Sequence, residues 1–430
     1  TEEENEFIAI YTLDAKELPE TKEYNSVVYT KNKEVDISAR QTGSVLLGTY
    51  QDVDGNKIAI ICQDGGVIAP ENSTNLFYFR AGSNVLKLLD LSNLDTSMVT
   101  NMHWMFYDCE GLTELNLSNF DTSKVTDMSY MFYNCRSLTE LNISSFNTNM
   151  VTNMSGMFSS CIGLKELNLS NFVTSKVTNM TFMFSRCESL TELNLSNFDT
   201  SKVTSMDYMF QICRGLTELN ISNFDTSRVI SMTAMFSGCE GLTELNLGSF
   251  DTSQVTNMSN MFKDCSGLIE LNLSSFDTSR VTAMNNMFYS CSGLIELNLS
   301  SFDTRQVTDM NNMFSYCSSL TELNLSNFDT SMVTNMNYMF YNCSGLTELN
   351  ISSFDTSKVT AMGSMFNGCE GLTELNLSGF DTSKVTDMYR MFYNCSSLTK
   401  ITVGCNWTTE NADTSNMFDN SGVSEVTMVC

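Results

Sequence analysis

A strict internal repeat of 26 residues fills most of the chain and constrains its fold more than any other feature. A Met-Phe pair begins four residues before each of twelve evenly spaced cysteines. A fixed period between 20 and 50 residues is typical of a solenoid, in which each unit buries its apolar face only against its neighbours. The chain is therefore expected to be one array rather than the roughly three domains that 430 residues would otherwise suggest. The repeated cysteines are Cys109, Cys135, Cys161, Cys187, Cys213, Cys239, Cys265, Cys291, Cys317, Cys343, Cys369 and Cys395.

The first half of one repeat, taken from Leu112 onward, predicts a short strand and a turn. Leu115 and Leu117 alternate with Asn116, a period of two that points the leucines inward and the asparagine outward. An Asp-Thr-Ser cluster that begins at Asp121 follows, and such short polar side chains bond to nearby backbone in turns. The aspartates of this column are therefore expected to form turns rather than to bind a ligand.

The second half of the repeat predicts a short helix. Met128, Met131, Phe132 and Cys135 follow at i, i+3, i+4 and i+7, which places them on one helical face, and Thr126 is positioned as the N-cap. The predicted fold class is therefore an α/β repeat solenoid of the leucine-rich-repeat type. Its parallel β-sheet lies on one face, its short helices lie on the other, and caps close both ends.

Three regions are predicted along the chain. Residues 1–80 lack the repeat and form a β-rich N-terminal cap, residues 81–404 form the solenoid, and residues 405–430 form a degenerate C-terminal capping repeat. Asp54-Gly55 predicts a hairpin turn in the first region, and Cys405 and Cys430 would lie on adjacent rungs, which makes them a candidate disulfide. The strand-like segments of the first region are 7–13, 26–30, 45–50, 57–62 and 75–80.

Composition removes several classes of function. The net charge of −27 makes nucleic acid and anionic lipid poor partners. A single histidine leaves no His-rich metal site and few routes to an activated nucleophile. The longest apolar runs fall far short of the roughly 18 residues that a membrane span needs, so no direct membrane insertion is expected. The cysteine column is expected to be core rather than a disulfide ladder or a metal array, because its side chains all point the same way.

The predicted sheet face carries one glutamate and one asparagine per repeat. Stacked carboxylates about 5 Å apart repel by about 1 kcal/mol per neighbour in water, so raised pKa values, splayed side chains or bound cations would follow. No cofactor is predicted, and calcium is the ion that this column would bind if it binds one. A solvated face that prevents aggregation is the alternative. The candidate binding residues on this face are Glu192, Asn194, Glu218, Asn220, Glu244, Asn246, Glu270 and Asn272.

A second candidate surface lies on the predicted helix side, where the repeats differ most from one another. Exposed tyrosine and tryptophan are good anchors for a protein partner. The alternative is that these surface positions vary neutrally among the repeats and have no binding role. The candidate residues are Trp104, Tyr130, Phe182 and Tyr208.

The full unit LTELNLSNFDTSKVTDMSYMFYNCRS closely resembles the 26-residue repeat of bacterial surface proteins related to BspA. The resemblance runs from about residue 85 to residue 402 and rests on the MF-x-x-C and SNFDTSxVT motifs. It implies a leucine-rich repeat in a secreted or surface-anchored protein of a host-associated bacterium, generally an adhesin rather than an enzyme. Phe120 and its equivalents stand where leucine-rich repeats usually have an asparagine ladder, and the chain contains no wall-sorting or lipid-attachment motif.

The regularity of the array favours binding over catalysis. An active site needs one constellation of different residues, whereas this chain offers the same residues a dozen times. Repeated weak contacts suit a repetitive ligand through avidity. The sequence therefore predicts a non-enzymatic, extracellular adhesin that binds a host extracellular protein, a glycan or another bacterial surface. A rigid stalk with no ligand is the alternative, and an enzyme confined to residues 1–80 comes third.

Overall fold

The computed structural model describes residues 7–37, 45–78 and 85–429. The chain divides into two compact units, Thr1–Asp199 and Thr200–Cys430. The described residues contain no helix, and fourteen short strands are joined by turns.

The first unit contains a seven-stranded sheet in the order β2-β3-β4-β5-β1-β7-β9. Pairing is antiparallel from β2 to β5 and parallel from β5 through β1 and β7 to β9. The small β6 and β8 pair with each other. The strands are β1 Phe7–Asp14, β2 Thr21–Tyr24, β3 Val27–Asp36, β4 Leu46–Gln51, β5 Lys57–Gln63, β6 Val67–Ile68, β7 Leu88–Asp90, β8 Leu94–Asp95 and β9 Glu114–Asn116.

The non-repeating segment follows the sequence prediction at four of its five strands. The β4–β5 hairpin turns at Gly55, whose φ of 89° suits a residue without Cβ. The fifth predicted strand is wrong, because Asn75 has a φ of 59° and the chain turns there; Phe79 and Arg80 lie outside the described residues. Ala9 of β1 pairs with Leu88 of β7, so the sheet of this segment continues directly into the first repeats.

The second unit contains a two-stranded and a three-stranded parallel sheet. The last pairing joins Thr402 to Thr427, an offset of 25 rather than 26 residues, as the shortened final repeat predicts. Its strands are β10 Glu322–Asn324, β11 Glu348–Asn350, β12 Glu374–Leu377, β13 Lys400–Val403 and β14 Thr427–Met428.

The predicted short helices are wrong, and with them the α/β fold class. In the segment that begins at Met128, alternate amides bond in different directions. Met131 donates its N–H to the carbonyl of Met128, whereas Tyr130 donates to Ser155 of the next repeat at 2.7 Å. Tyr130 and Asn134 have φ values of 53° and 64°, in the left-handed region that ends a helix. Bonds between repeats thus replace the i to i−4 bonds of a helix.

The apolar columns are nevertheless buried where the spacing predicted. Met128, Met131, Phe132 and Cys135 are fully buried. Phe132 stacks on Phe158 with ring centroids 5.8 Å apart in the first unit, and the same column stacks at the same spacing in the second. Burial of each such side chain stabilises by about 1.5–3 kcal/mol. Apolar spacing therefore identified the core although it misidentified the backbone.

Candidate functional site

Acidic and amide side chains line an open groove on the second unit, with a volume of about 960 Å³. A second groove of about 510 Å³ runs from Glu296 to Asn350 in the same columns. Both therefore lie on the predicted ligand-binding face of the repeat. The glutamates and asparagines of the first groove are Glu218, Asn220, Glu244, Asn246, Glu270, Asn272, Glu296 and Asn298.

Alternation along each short extended segment positions the groove side chains. Leu245 is buried, while Glu244 and Asn246 on either side of it are exposed. The amide oxygen of Asn246 accepts the backbone N–H of Gly248 at 3.0 Å, and Asn272 holds Ser274 in the same way. Each asparagine is thus fixed by a turn within its own repeat. The NH₂ groups of Asn246 and Asn272 have no hydrogen-bond partner among the described residues.

The groove glutamates are not neutralised by the chain itself. None of Glu218, Glu244 and Glu270 forms an ion pair within the described part of the chain, whereas Arg214 pairs with Glu240 of a different column at 2.9 Å. Uncompensated like charges create a negative potential that attracts cations. The groove therefore suits a ligand that offers positive charge together with hydrogen-bonding groups.

Strand pairing is absent at the groove. Within the described second unit, the first assigned strand is β10, and the extended segments from Glu218 to Asn298 precede it. The N–H of Ile269 bonds to the carbonyl of Thr243 at 3.3 Å, but over residues 200–429 no backbone hydrogen bond links residues 244–247 to residues 270–273. The backbone N–H groups of residues 244–247 and 270–273 therefore remain to be satisfied by water or by a ligand.

Two exposed isoleucines stand beside the groove and were missed from the sequence. Ile269 and Ile295 are 52% and 49% exposed, next to Glu270 and Glu296. Their column is threonine in most other repeats, so the departure from threonine was the available signal. They add an apolar border to an otherwise charged surface.

The remaining predicted residues of this face lie in the first unit. Glu192 is exposed, and Asn194 accepts the N–H of Ser196 at 3.1 Å, as its equivalents do. The structure therefore brings together six of the eight predicted residues and adds Glu296 and Asn298. No group of three or more His, Cys, Asp or Glu side chains in residues 7–37, 45–78 and 85–429 is arranged to hold a metal ion.

The turn aspartates occupy turns, as predicted. Asp225 accepts both the hydroxyl and the N–H of Ser227, at 2.6 and 3.0 Å. These two hydrogen bonds, together with the nearby Arg228, lower the pKa of Asp225. Its carboxylate is already engaged within its own turn, which leaves it unsuited to ligand binding.

The alternative aromatic residues lie in left-handed backbone rather than on helices. Trp104 is 38% exposed and stacks on His103 at 4.3 Å, and His103 meets Tyr130 edge-on at 6.2 Å. Trp104 and Tyr130 are thus part of one aromatic cluster in the first unit. Phe182 lies in the same column of that unit and Tyr208 in that column of the second, with φ values of 59° and 58°.

Among the described residues, thirteen cysteines are buried free thiols, including all twelve of the repeated column. Cys135 donates its Sγ–H to the carbonyl of Phe106 in the preceding repeat, at 3.2 Å. Burial raises the pKa of the Cys161 thiol well above its ordinary value. The column is therefore unreactive core. Cys405 is disulfide-bonded, and its predicted partner Cys430 lies outside the described residues.

A family described as "Mycoplasma protein of unknown function, DUF285" matches the chain over residues 74–192, 181–292, 214–323, 265–349 and 318–427. No curated protein matches the chain. Across the described residues, no helix is long and apolar enough to cross a membrane.

Proposed function

The chain belongs to the DUF285 family, which matches well over half of its length, and on this premise we propose that it is a bacterial surface protein that binds a ligand without catalysis. The ligand is a host or neighbouring-cell protein or glycan, and the protein acts outside the cell. The narrower likeness to BspA-related adhesins is part of this proposal. The family is one of repeats without an established function, so the proposal depends on the surface that the repeats present.

The groove of the second unit is the observation that carries the proposal. It presents four glutamates and four asparagines in two parallel rows, with one residue of each kind per repeat. A ligand whose own groups recur at a similar spacing would engage several repeats at once, and linked weak contacts add through effective concentration. Ile269 and Ile295 would contact apolar parts of the same ligand. No cofactor enters the proposal.

The test is a binding screen of the purified chain against a glycan array and a panel of host extracellular proteins. It is run at physiological salt with and without calcium. The groove variant carries Glu218→Gln, Glu244→Gln, Glu270→Gln and Glu296→Gln. A matched control carries the same charge change at Glu114, Glu140, Glu166 and Glu374, which lie in the same column outside the first groove.

Binding that is lost in the groove variant and kept in the control supports the proposal. Equal loss in both variants would indicate a general effect of net charge and would contradict a localised site. If the unmodified chain bound nothing on the glycan array or in the protein panel, the result would favour a rigid stalk without a ligand. If binding required calcium and was lost in the groove variant, the result would indicate that calcium binds at the groove together with the ligand.

A further inference from the structure

Four tyrosines form a continuous patch on the second unit, outside the groove. Tyr289 meets Tyr316 at 5.5 Å, and Tyr316 meets Tyr341 at 5.2 Å. Tyr338 meets Tyr341 at 5.6 Å. All three contacts are edge-on, with interplanar angles of 67°, 69° and 74°. We call these four residues the tyrosine patch.

The backbone holds the two most exposed members of the tyrosine patch in place. Tyr316 and Tyr338 have φ values of 61° and 59°. Tyr316 donates its N–H to the carbonyl of Tyr341 at 2.7 Å, and Tyr338 donates to Gly363 at 3.0 Å. The rings are therefore fixed to the stack of repeats, and they remain 37% and 40% exposed. A rigid aromatic surface loses little conformational entropy on binding.

The chain places its own cations over tyrosine rings at both ends of this region. The ammonium of Lys263 lies 5.1 Å from the ring centre of Tyr289. Two repeats beyond the tyrosine patch, the guanidinium of Arg390 lies 5.0 Å from Tyr389 and 4.8 Å from Tyr393. These pairs show that rings on this surface accept cations at cation–π distance.

Tyr316 and Tyr338 lie between these pairs, and no lysine or arginine of the described residues covers them. Their ring contacts are with other tyrosines, and the two residues remain 37% and 40% exposed to solvent. The net charge of −27 draws basic partners toward the chain. Exposed tyrosine rings on an acidic protein are a complement to arginine and lysine.

We propose that the tyrosine patch docks arginine or lysine side chains of a basic protein segment, which complete the cation–π series that Lys263 and Arg390 begin. The surface is separate from the groove and does not depend on the proposed function. A partner that binds here is recognised by the spacing of its cations rather than by the glutamate rows.

The probe is an arginine-rich peptide, compared with a citrulline peptide of the same length that keeps the shape but lacks the charge. Affinity is measured for the chain with both tyrosines unchanged, for Tyr316→Leu with Tyr338→Leu, and for Tyr316→Phe with Tyr338→Phe. Phenylalanine keeps the ring face and loses the hydroxyl. All three are made in the groove variant described above, so that the groove glutamates contribute nothing to the difference.

The leucine pair is expected to weaken peptide binding about tenfold, since two exposed cation–π contacts are lost. The affinity of the phenylalanine variant for the arginine peptide is expected to stay within about twofold of that of the chain with both tyrosines. The citrulline peptide is expected to bind the chain with both tyrosines no more tightly than the arginine peptide binds the leucine variant. The proposal would be overturned if the leucine variant bound the arginine peptide as tightly as the chain with both tyrosines does. It would also be overturned if the phenylalanine variant lost as much affinity as the leucine variant. As a second measurement on the unmodified chain, the peptide must shift the ring NMR signals of Tyr316 and Tyr338 and not those of buried Tyr29; unshifted Tyr316 and Tyr338 rings would also overturn it.

Discussion

The hydroxyl of Thr252 bonds twice to the backbone of one residue in the next repeat, Asp277. It donates to the carbonyl oxygen at 2.9 Å and accepts the N–H at 2.8 Å. Thr252 is 1% exposed, and its one hydroxyl satisfies both backbone groups of Asp277. Equivalent threonines recur in both units, such as Thr148 and Thr278.

The first prediction concerns this threonine. Thr252→Val keeps the shape and removes the hydroxyl, which leaves the N–H and the C=O of Asp277 unpaired. An unsatisfied backbone group costs about 1–3 kcal/mol when it is buried, and these two hydrogen bonds are partly buried, so we expect the free energy of unfolding to fall by about 1–3 kcal/mol. Urea denaturation measures it. Thr252→Ser keeps the hydroxyl and is the control; a valine variant as stable as the serine variant would show that the double bond contributes nothing.

The second prediction concerns backbone strain at Ile212. This β-branched residue has a φ of 57°, in the column where Asn134, Asn342 and Asn394 also have positive φ. The left-handed region costs about 1–2 kcal/mol for ordinary residues and less for asparagine. Ile212→Asn is therefore expected to raise the free energy of unfolding by about 1 kcal/mol. The reverse change, Asn342→Ile, should lower it by a similar amount, and two changes of the same sign would refute the strain argument.

That column also explains why the sequence predicted the core and missed the backbone. Burial of Met128 and Phe132 follows from which side chains are apolar, and the same spacing serves a helix or a run of turns. The choice between them depends on left-handed residues. Gly156 and Gly238 stand in the two columns with positive φ, where several other repeats have asparagine, and these residue types were the signal against a helix.

The sequence predicted which residues line the groove, but it did not predict whether the neighbouring extended segments pair as strands. Period-two alternation placed Glu218 and Glu244 on the exposed face, and the structure groups them. Whether neighbouring extended segments pair depends on the spacing of whole repeats. Repeats with the same Glu-Leu-Asn sequence pair at β10 and β11 and do not pair at Leu245 and Leu271, so a local pattern cannot decide it.

The third prediction concerns alkaline pH and the buried thiols. Burial raises the pKa of Cys343 and of Cys395 from 9.0 to about 12. In the unfolded chain such a thiol loses its proton above pH 9, while in the folded chain it keeps the proton up to about pH 12. Its stabilising contribution is therefore complete below pH 9 and is lost as the pH rises through this window, by about 1.4 kcal/mol per thiol and pH unit.

Urea midpoints should accordingly stay nearly constant from neutral pH to about pH 8 and fall steeply between about pH 9 and about pH 10.5 under an inert atmosphere. Cys343→Ala creates a small cavity and should be less stable than the unmodified chain at neutral pH. Its free energy of unfolding should then fall less with rising pH, by the contribution of one thiol. A midpoint that does not change with pH would mean that the thiols ionise equally well in the folded protein.

The fourth prediction uses the one repeat of the first unit whose turn column holds valine. Val173 is 43% exposed and stands where Asp121 accepts the N–H of Ser123 at 2.9 Å. Val173→Asp would offer the same acceptor to Ser175, with Lys176 one residue further on, as Lys124 follows Ser123. We expect a gain of about 0.5–1 kcal/mol at pH 7, kept small because the site is exposed.

The gain should also depend on pH in a defined direction. Hydrogen bonds from Ser123 lower the pKa of Asp121 below 3.8, and an aspartate at position 173 should behave alike. A carboxylate with a lowered folded pKa stabilises fully above its unfolded pKa and loses that contribution as the pH falls through the folded value. Thermal unfolding at pH 7 and pH 2.5 measures the difference. Val173→Asn, which copies Asn147 of the preceding repeat, accepts the same bond without a charge and should keep its gain at both pH values; an aspartate gain that persisted unchanged at pH 2.5 would rule out the carboxylate as its source.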